Sequence, residues 1–225
     1  MFERFAAIVP AYNAAPFLEP VLGAISRHIP APNIVVVDDA STDDTAIVAQ
    51  RCGARVVRHE ANRGKGAAIR TAQRIVGSLA GIDAVVMLDA DGQHDPAEIP
   101  RFADEFMKGK ADLIIGNRMA AAGEMPAIRV FTNRLTSAIV SLRAGQRIPD
   151  SQNGYRLIRA SLLSRLRLVT SRYEIDSEII IKACHAGGRA ASIPVRTIYG
   201  SEKSAIHPLR DTFRFIALVT RSLFW

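Results

Sequence analysis

Short apolar runs alternate with stretches of helical period through the first half of the chain. Phe5–Pro10 is a β-branched and alanine run ended by proline, and Phe17, Leu18, Val21, Leu22 and Ile25 follow at helical spacing, predicting strand, loop and helix. Ile34–Val37 predicts a second strand that ends at Asp38-Asp39. Ser41 and Thr42 offer N-caps, with Asp43 and Asp44 in the first turn of a helix reaching about Cys52. Ala54–Arg58, Gly64–Leu79 and Ala84–Asp89 predict strand, helix and strand. Asp95-Pro96 reads as an N-cap and first helical residue, and Ile99, Phe102, Ala103, Phe106 and Met107 carry that helix to about Lys108. Leu113–Ile115 is a fifth short strand, closing at Gly116-Asn117-Arg118. This rhythm gives parallel β-α units with right-handed crossovers, an α/β fold with a doubly wound, mostly parallel sheet flanked by helices.

The second half is less regular. Met119–Pro126 has no periodic pattern and reads as a loop; a helix follows over Ile128–Leu142, then an irregular stretch over Gly145–Gly154 and a strand over Tyr155–Arg159. Glu174–Ala186 predicts a helix with Ile175, Ile179 and Ala183 toward the core, and Arg189–Ile198 a strand pair punctuated by Pro194. In Pro208–Trp225, Arg210, Arg214 and Arg221 fall on one narrow stripe, while Leu209, Phe213, Ile216, Val219, Leu223 and Phe224 cover much of the rest. Such an amphipathic helix either lies in a membrane interface or docks on its own domain. The expected organisation is one catalytic domain over residues 1–207 and a terminal helix over 208–225.

Composition sharpens the split between halves. Residues 1–100 carry nine Lys+Arg against 12 Asp+Glu, whereas residues 101–225 carry 20 against 10, so the net charge of +7 is concentrated in the second half. Arg129 to Arg172 spans nine arginines and one acid, Asp150, which suggests an anionic partner. These arginines have few interleaved aromatics and no recognised binding motif, which argues against nucleic acid. No apolar run approaches the ~20 residues of a membrane span, and no basic region precedes an apolar one at the N-terminus, so the chain is expected to be cytoplasmic and unprocessed. Cys52 and Cys184 lack metal-type spacing and are expected to be reduced thiols.

The chemistry gathers at predicted strand ends. Val85-Val-Met-Leu-Asp89-Ala-Asp91-Gly-Gln93-His94 delivers two carboxylates to the carboxyl edge of the sheet, where open α/β folds bind ligands. A divalent cation, Mg²⁺ or Mn²⁺, is a natural occupant of Asp89 and Asp91, with Gln93 adding a carbonyl oxygen and substrate phosphates completing the shell. Asp38-Asp39 forms a second acidic pair suited to a nucleobase or ribose, and Pro10-Ala-Tyr12-Asn13 ends the first strand, where Tyr12 is placed to stack on a base. Asn62-Arg63-Gly64-Lys65-Gly66 precedes a helix, giving a flexible backbone, a helix N-terminus and a lysine charge for a phosphate without P-loop spacing.

Taken in order, Val9-Pro-Ala-Tyr-Asn13, Val37-Asp-Asp-Ala-Ser-Thr-Asp43 with Thr45, Asn62-Arg-Gly-Lys-Gly66, Leu88-Asp-Ala-Asp-Gly-Gln-His94, Gly116-Asn-Arg118 and Asp150-Ser-Gln-Asn-Gly-Tyr-Arg156 resemble the family 2 glycosyltransferases of GT-A fold. Within that family they are similar to the dolichol-phosphate mannose and glucose synthases, from about residue 5 to 160. The resemblance implies an inverting glycosyltransferase using a UDP- or GDP-sugar donor. Asp38 and Asp39 would bind its nucleoside beside Pro10, Tyr12 and Asn13, with Lys65 on the diphosphate. Asp89, Asp91 and Gln93 would hold the metal. Arg118 and Arg134 would bind a polyprenyl phosphate acceptor, and Asp150, Gln152 and Arg156 would line the sugar or acceptor pocket. A lipid phosphate oxygen is its own nucleophile, whereas a hydroxyl acceptor needs a base, for which Asp150 is the candidate.

One stretch departs from that pattern. Lipid-phosphate synthases usually carry an arginine before a Gly-Glu-Ser-Lys run, and here the stretch reads Thr197-Ile-Tyr-Gly-Ser-Glu-Lys-Ser204, leaving Lys203, with Tyr199 and Ser204, as the substitute phosphate contact. The expected site of action is the cytoplasmic membrane face, with the terminal helix as peripheral anchor. The alternatives are transfer to a hydroxyl acceptor and a non-catalytic nucleotide-sugar-binding module.

Overall fold

The computed structural model describes residues 2–120, 125–196, 198 and 208–225. The first half alternates as the periodicity requires: β1 (Phe5–Ala11), α1 (Ala15–Ser26), β2 (Ile34–Asp38), α2 (Thr45–Arg51), β3 (Arg55–Arg58), α3 (Lys65–Gly77), β4 (Ala84–Met87), α4 (Ile99–Met107) and β5 (Leu113–Asn117). The second half adds α5 (Ala127–Ala144), β6 (Arg156–Arg159), α6 (Ala160–Arg165), α7 (Ile175–His185), β7 (Ala190–Pro194) and α8 (Pro208–Ser222). These strands form one seven-stranded sheet in the order β3-β2-β1-β4-β6-β5-β7. Every pairing is parallel except those of β6, which runs antiparallel to β4 and β5.

Apolar residues cover both faces of the sheet. Phe5, Ala7, Val9 and Ala11 of β1 pack with α1, α2 and α4, whereas Ala6 and Ile8 face α3, α5, α6 and α7. A strand buried on both faces has no polar side to alternate with, hence the continuous apolar runs. Three local expectations are corrected. Arg189–Ile198 is not a strand pair: its only described strand is β7, and Thr197 lies outside the described residues. The one-and-a-half-turn α6 was not predicted, being too short for periodicity to register. Of the loop expected over Met119–Pro126, residues 121–124 lie outside the described residues.

The third correction concerns capping. Asp43 Oδ1 accepts from the first amide of α2, Thr45 N–H, at 3.1 Å, but the expected caps Ser41 and Thr42 do not cap α2. Residues 41–45 reach across to the start of α1, where Ser41 Oγ accepts from Asn13 N–H (2.9 Å), Thr45 Oγ1 from Ala14 N–H (2.8 Å) and Asp43 Oδ2 from Ala15 N–H (3.1 Å). Asn13 Oδ1 returns a bond by accepting from Thr42 N–H at 2.8 Å. The orphan amides of α1 are thus met by the loop after β2, which locks two strand ends together.

Close backbone approach is the second device. A Cβ on Gly66 would lie 2.6 Å from the Thr170 carbonyl oxygen, and one on Gly64, at φ +90°, would lie 2.4 Å from that of Ser171. Gly66→Ala is expected to lower stability by about 1–3 kcal/mol, while Gly23→Ala, on the open side of α1 with nothing within 4 Å, is expected to raise it by about 0.4–1 kcal/mol. Urea unfolding of the two variants checks the opposed signs.

Candidate active site

β1, β2 and β4 end side by side, with Ala11 paired to Asp38 and β4 parallel to the other edge of β1. The chain beyond these ends carries Tyr12-Asn13, Asp38-Asp39 and Asp89–Asp91 to one rim. Pro10 is half-buried and the Tyr12 ring is 51% exposed, a flat apolar surface at that rim. Asn13 is fixed in a left-handed turn, φ 49°, by its bonds to the loop after β2. Asp38 is fully buried; its Oδ1 accepts from Ser41 N–H at 2.9 Å. Asp38 Oδ2 lies 3.3 Å from Arg58 Nε and has no hydrogen-bond partner, which leaves an acceptor atom unspent.

Asp39 does different work. It is 3% exposed, and its carboxylate accepts from Arg63 N–H (2.9 and 3.1 Å), Gly64 N–H (2.6 Å) and the His59 ring, whose Nδ1 lies at 2.6 Å. His59 is braced in turn by Thr71 Oγ1 at 2.9 Å. Asp39 therefore clamps the 62–66 loop. Ser171 carbonyl oxygen takes the amides of Gly66 and Ala67, at 2.9 and 3.3 Å. The phosphate cradle expected of this loop's backbone is accordingly corrected: three of its amides, with that of Ala67 after it, are engaged within the protein, and the loop offers the Lys65 side chain instead.

That side chain is the centre of the rim. Lys65 Nζ stands 2.7 Å from Asp89 Oδ1 and 3.1 Å from Asp176 Oδ2, with 13% of the side chain exposed. Burial would push the ammonium down, but Asp176 and then Asp89 hold its pKa above the ordinary lysine value. Against the upward push of burial, the same pairing keeps Asp89 down at about 2. Asp89 N–H donates to His94 Nδ1 at 3.1 Å, which puts the ring proton on Nε2. The His94 ring stacks on Tyr155 with centroids 5.2 Å apart. Burial pushes His94 down to about 4, so it is neutral at physiological pH.

Asp91 Oδ1 accepts from Gln93 N–H at 3.0 Å, and the Gln93 main-chain carbonyl accepts from Ile198 N–H at 3.0 Å, so a carbonyl offered to a metal would be the side-chain amide. Among the described residues no group of three or more His, Cys, Asp or Glu is arranged to enclose a metal. Two carboxylates on one loop fit Mg²⁺ or Mn²⁺, which take one or two protein carboxylates and fill the shell with water and phosphate oxygens.

The basic half meets the rim through β5. Arg118, just past its end, grips Asp150 with Nε and Nη2 at 2.8 and 2.9 Å, and its own N–H reaches the same carboxylate at 3.0 Å. Asp150 is fully buried in that grip and presents no open oxygen for base chemistry. Arg134, on α5, lines a cleft of about 390 Å³ with Asn117, Met119, Ser137, Ser141 and Arg147. Gln152 Nε2 is turned toward Ser151 and Ser177 hydroxyls at 3.2 and 3.3 Å. Arg156 does not line a pocket: it is fully buried, donating to Asp176 Oδ1, Asp176 carbonyl and Asn153 carbonyl at 2.9, 2.7 and 2.6 Å. Lys203, Tyr199 and Ser204 lie outside the described residues.

Sequence reasoning did not single out Asp176, Arg147 or His59. Asp176 falls among Glu174 and Glu178 at the start of α7, where acids are expected for the helix dipole alone, and nothing local ties it to Lys65, 111 positions earlier. Arg147 was one arginine of a long basic run. His59 sits one residue past β3 and carries no motif of its own.

The chain is 30% identical over 214 residues to the UDP-N-acetylglucosamine–dolichyl-phosphate N-acetylglucosaminyltransferase of Methanococcus voltae, covering 85% of this chain and 84% of that one. It is 30% identical over 203 residues to the undecaprenyl-phosphate mannosyltransferase of Micrococcus luteus, covering 85% and 82%. The fold superposes on Mycobacterium tuberculosis glucosyl-3-phosphoglycerate synthase, solved with Mn²⁺ and UDP, at a TM-score of 0.73 and 22% identity, covering 98% of this chain and 78% of that one. The family model for glycosyl transferase family 2 matches residues 6–167, and the chain belongs to that family of glycosyltransferases.

Proposed function

We propose that the protein transfers a sugar from a UDP- or GDP-sugar to a polyprenyl-type lipid phosphate at the cytoplasmic membrane face, with inversion at the anomeric carbon. The observation that carries this reading is the division of one sheet edge: carboxylates and Lys65 at the ends of β2 and β4, arginines at the end of β5 and on α5. Tyr12, exposed at the rim beside the end of β2 that carries Asp38, suits a nucleobase. Lys65 suits the diphosphate, and Asp89 and Asp91, with the Gln93 side chain, suit Mg²⁺ or Mn²⁺. The metal, when bound, supplies charge neutralisation on the departing diphosphate. Arg134 and Arg147 suit the acceptor phosphate, with Arg118 held between the two sides by Asp150. The enclosure of Asp150 favours an acceptor that is already anionic, because a phosphate oxygen attacks without a base. The chain's part is then to align nucleophile and anomeric carbon and to keep water out.

The outer surface supports a membrane location. No helix among the described residues is long and apolar enough to cross a membrane. α8 docks on the domain by one side and keeps an apolar side outward. It docks through Phe215, Leu218 and Ser222, the last bonded by Arg143, and Trp225 lies under Lys182 at 4.3 Å. Its other side leaves Phe213, Ile216, Leu223 and Phe224 exposed. α5, which touches α8, also turns an apolar stripe outward: Ile128, Phe131, Leu135 and Leu142, with Arg129 and Arg134 exposed beside it. Residues 1–207 would be the catalytic body and 208–225 a surface anchor, seated on anionic lipid together with α5.

Three outcomes are expected. Incubation of the protein with radiolabelled nucleotide sugar, Mn²⁺ and polyprenyl phosphate should give an acid-labile lipid product, and Asp91→Ala should cut kcat/KM at least about 100-fold; a product stable to mild acid would contradict the phosphate acceptor. The double variant Ile128→Glu/Phe131→Glu should float with phosphatidylglycerol vesicles at least about tenfold less than wild type, given about 2 kcal/mol per side chain kept out of the bilayer, with an unchanged circular dichroism spectrum. Stability should also follow His94. Its folded pKa, about 4, is below its unfolded value, so the unfolded chain binds the extra proton first and stability falls as pH drops from about 6.5 to 4, by about 2–3 kcal/mol. Urea midpoints of the metal-free protein across that window, compared with His94→Gln, isolate the contribution.

A further inference from the structure

The donor rim already contains a cation of its own. Lys65 Nζ is 2.7 Å from Asp89 Oδ1, the carboxylate assigned above to the metal, and it is fastened from behind by Asp176 Oδ2 at 3.1 Å. The pair sits against the bare backbone of Gly154, where a Cβ would lie 2.8 Å from Nζ and 2.9 Å from Asp89 Oδ2. Asp176 is itself fixed by Arg156 through Oδ1 at 2.9 Å and through its carbonyl at 2.7 Å. The root of the lysine is held as firmly, because Arg63 and Gly64 donate to Asp39, and Gly66 to Ser171. The ammonium is thus a tethered charge with one permanent partner, Asp176, and one shared partner, Asp89.

We propose that Lys65 occupies the Asp89 side of the metal site until a donor diphosphate offers the ammonium another anion, so that bound nucleotide raises the affinity of the site for the metal. The inference rests on the donor-site reading given above and assigns a coupling to it. A divalent ion arriving alone must share Asp89 with an ammonium at contact distance. A diphosphate arriving alone finds the ammonium ready. When both arrive, the diphosphate draws Lys65 off Asp89 and leaves the carboxylate to the metal, and each ligand tightens the other by the same factor.

The test reads binding in the purified full chain, not turnover. Mn²⁺ alone, followed by the loss of its free electron paramagnetic signal, should bind Lys65→Gln about tenfold more tightly than wild type. UDP or GDP without metal, followed by calorimetry, should bind that variant about tenfold more weakly. Arg74→Gln, which removes an exposed charge from the same helix, should change neither. Opposite signs for metal and nucleotide are the signature, because a residue that merely supported the fold would weaken both. Metal affinity unchanged or reduced in Lys65→Gln, with wild type binding the nucleotide–Mn²⁺ pair, overturns the tethered-cation role alone. Failure of wild type to bind either nucleotide with or without Mn²⁺ overturns the donor-site reading and this inference with it. Should Lys65→Gln not fold, wild type decides: in ¹⁵N-lysine protein the Lys65 ammonium resonance should move on adding the nucleotide without metal, and a resonance that stays put overturns the proposal.

Discussion

Everything at the rim follows from the cost of placing charges where water is scarce. Lys65, Asp89, Asp176 and Arg156 share one small volume, and each stands in contact with an opposite charge. The pairing closes a ring through the fold. Asp39 at the end of β2 holds the 62–66 loop; that loop sets the first turn of α3 and the position of Lys65. The glycines of the loop admit the 170–171 backbone, which leads into α7 and Asp176. Asp176 receives Arg156 from β6, and β6 pairs with β4, whose end bears Asp89. Elements distant in sequence are thus joined in one circuit of bonds.

The two acidic pairs, similar on paper, divide their work for a reason that is geometric. Neighbouring residues of an extended chain point to opposite sides, so Asp38 and Asp39 cannot both face a ligand from the end of a strand. Asp39 turns to the amides of the neighbouring loop and spends its oxygens there. Asp38 keeps one oxygen unspent beside Arg58. Asp89 and Asp91, two apart and past the end of β4, sit on a loop that a neutral His94 ties back to the strand. A ligand set needs side chains on the same side, and only a spacing of two, or a loop, supplies it.

This division also marks what could be read from the sequence. The parallel strands were legible because burial on both faces leaves no polar alternation, and the rim was legible because acids end two of those runs. What each acid touches was not, since the partners of Asp39, Asp150 and Arg156 come from 20 to 32 positions away and carry no periodic sign. Arg156 shows the limit most clearly. A basic residue in a polar motif resembling the family's suggests a pocket, yet here β6 turns it beneath α7, where it satisfies Asp176. The expected caps mislead for a related reason: Ser41 and Thr42 have the right chemistry for a helix start, and both bond instead to Asn13, just before the neighbouring helix.

Helix α5 carries the same lesson to the membrane side. Its period announces one apolar stripe, and a stripe says nothing about which way it faces. In the fold Ser137, Val140 and Ala144, small or slender, take the inner side, and Ile128, Phe131, Leu135 and Leu142 are turned out. Arg134 stands between Phe131 and Leu135, and it also lines the basic cleft. With a rise of about 1.5 Å per residue, the arginine lies within about one turn of both apolar neighbours. On the proposed reading, burying those neighbours in the acyl boundary sets Arg134 at the depth of the headgroups. That is where the phosphate of a polyprenyl chain resides, so the acceptor would reach the cleft by lateral diffusion without leaving the bilayer.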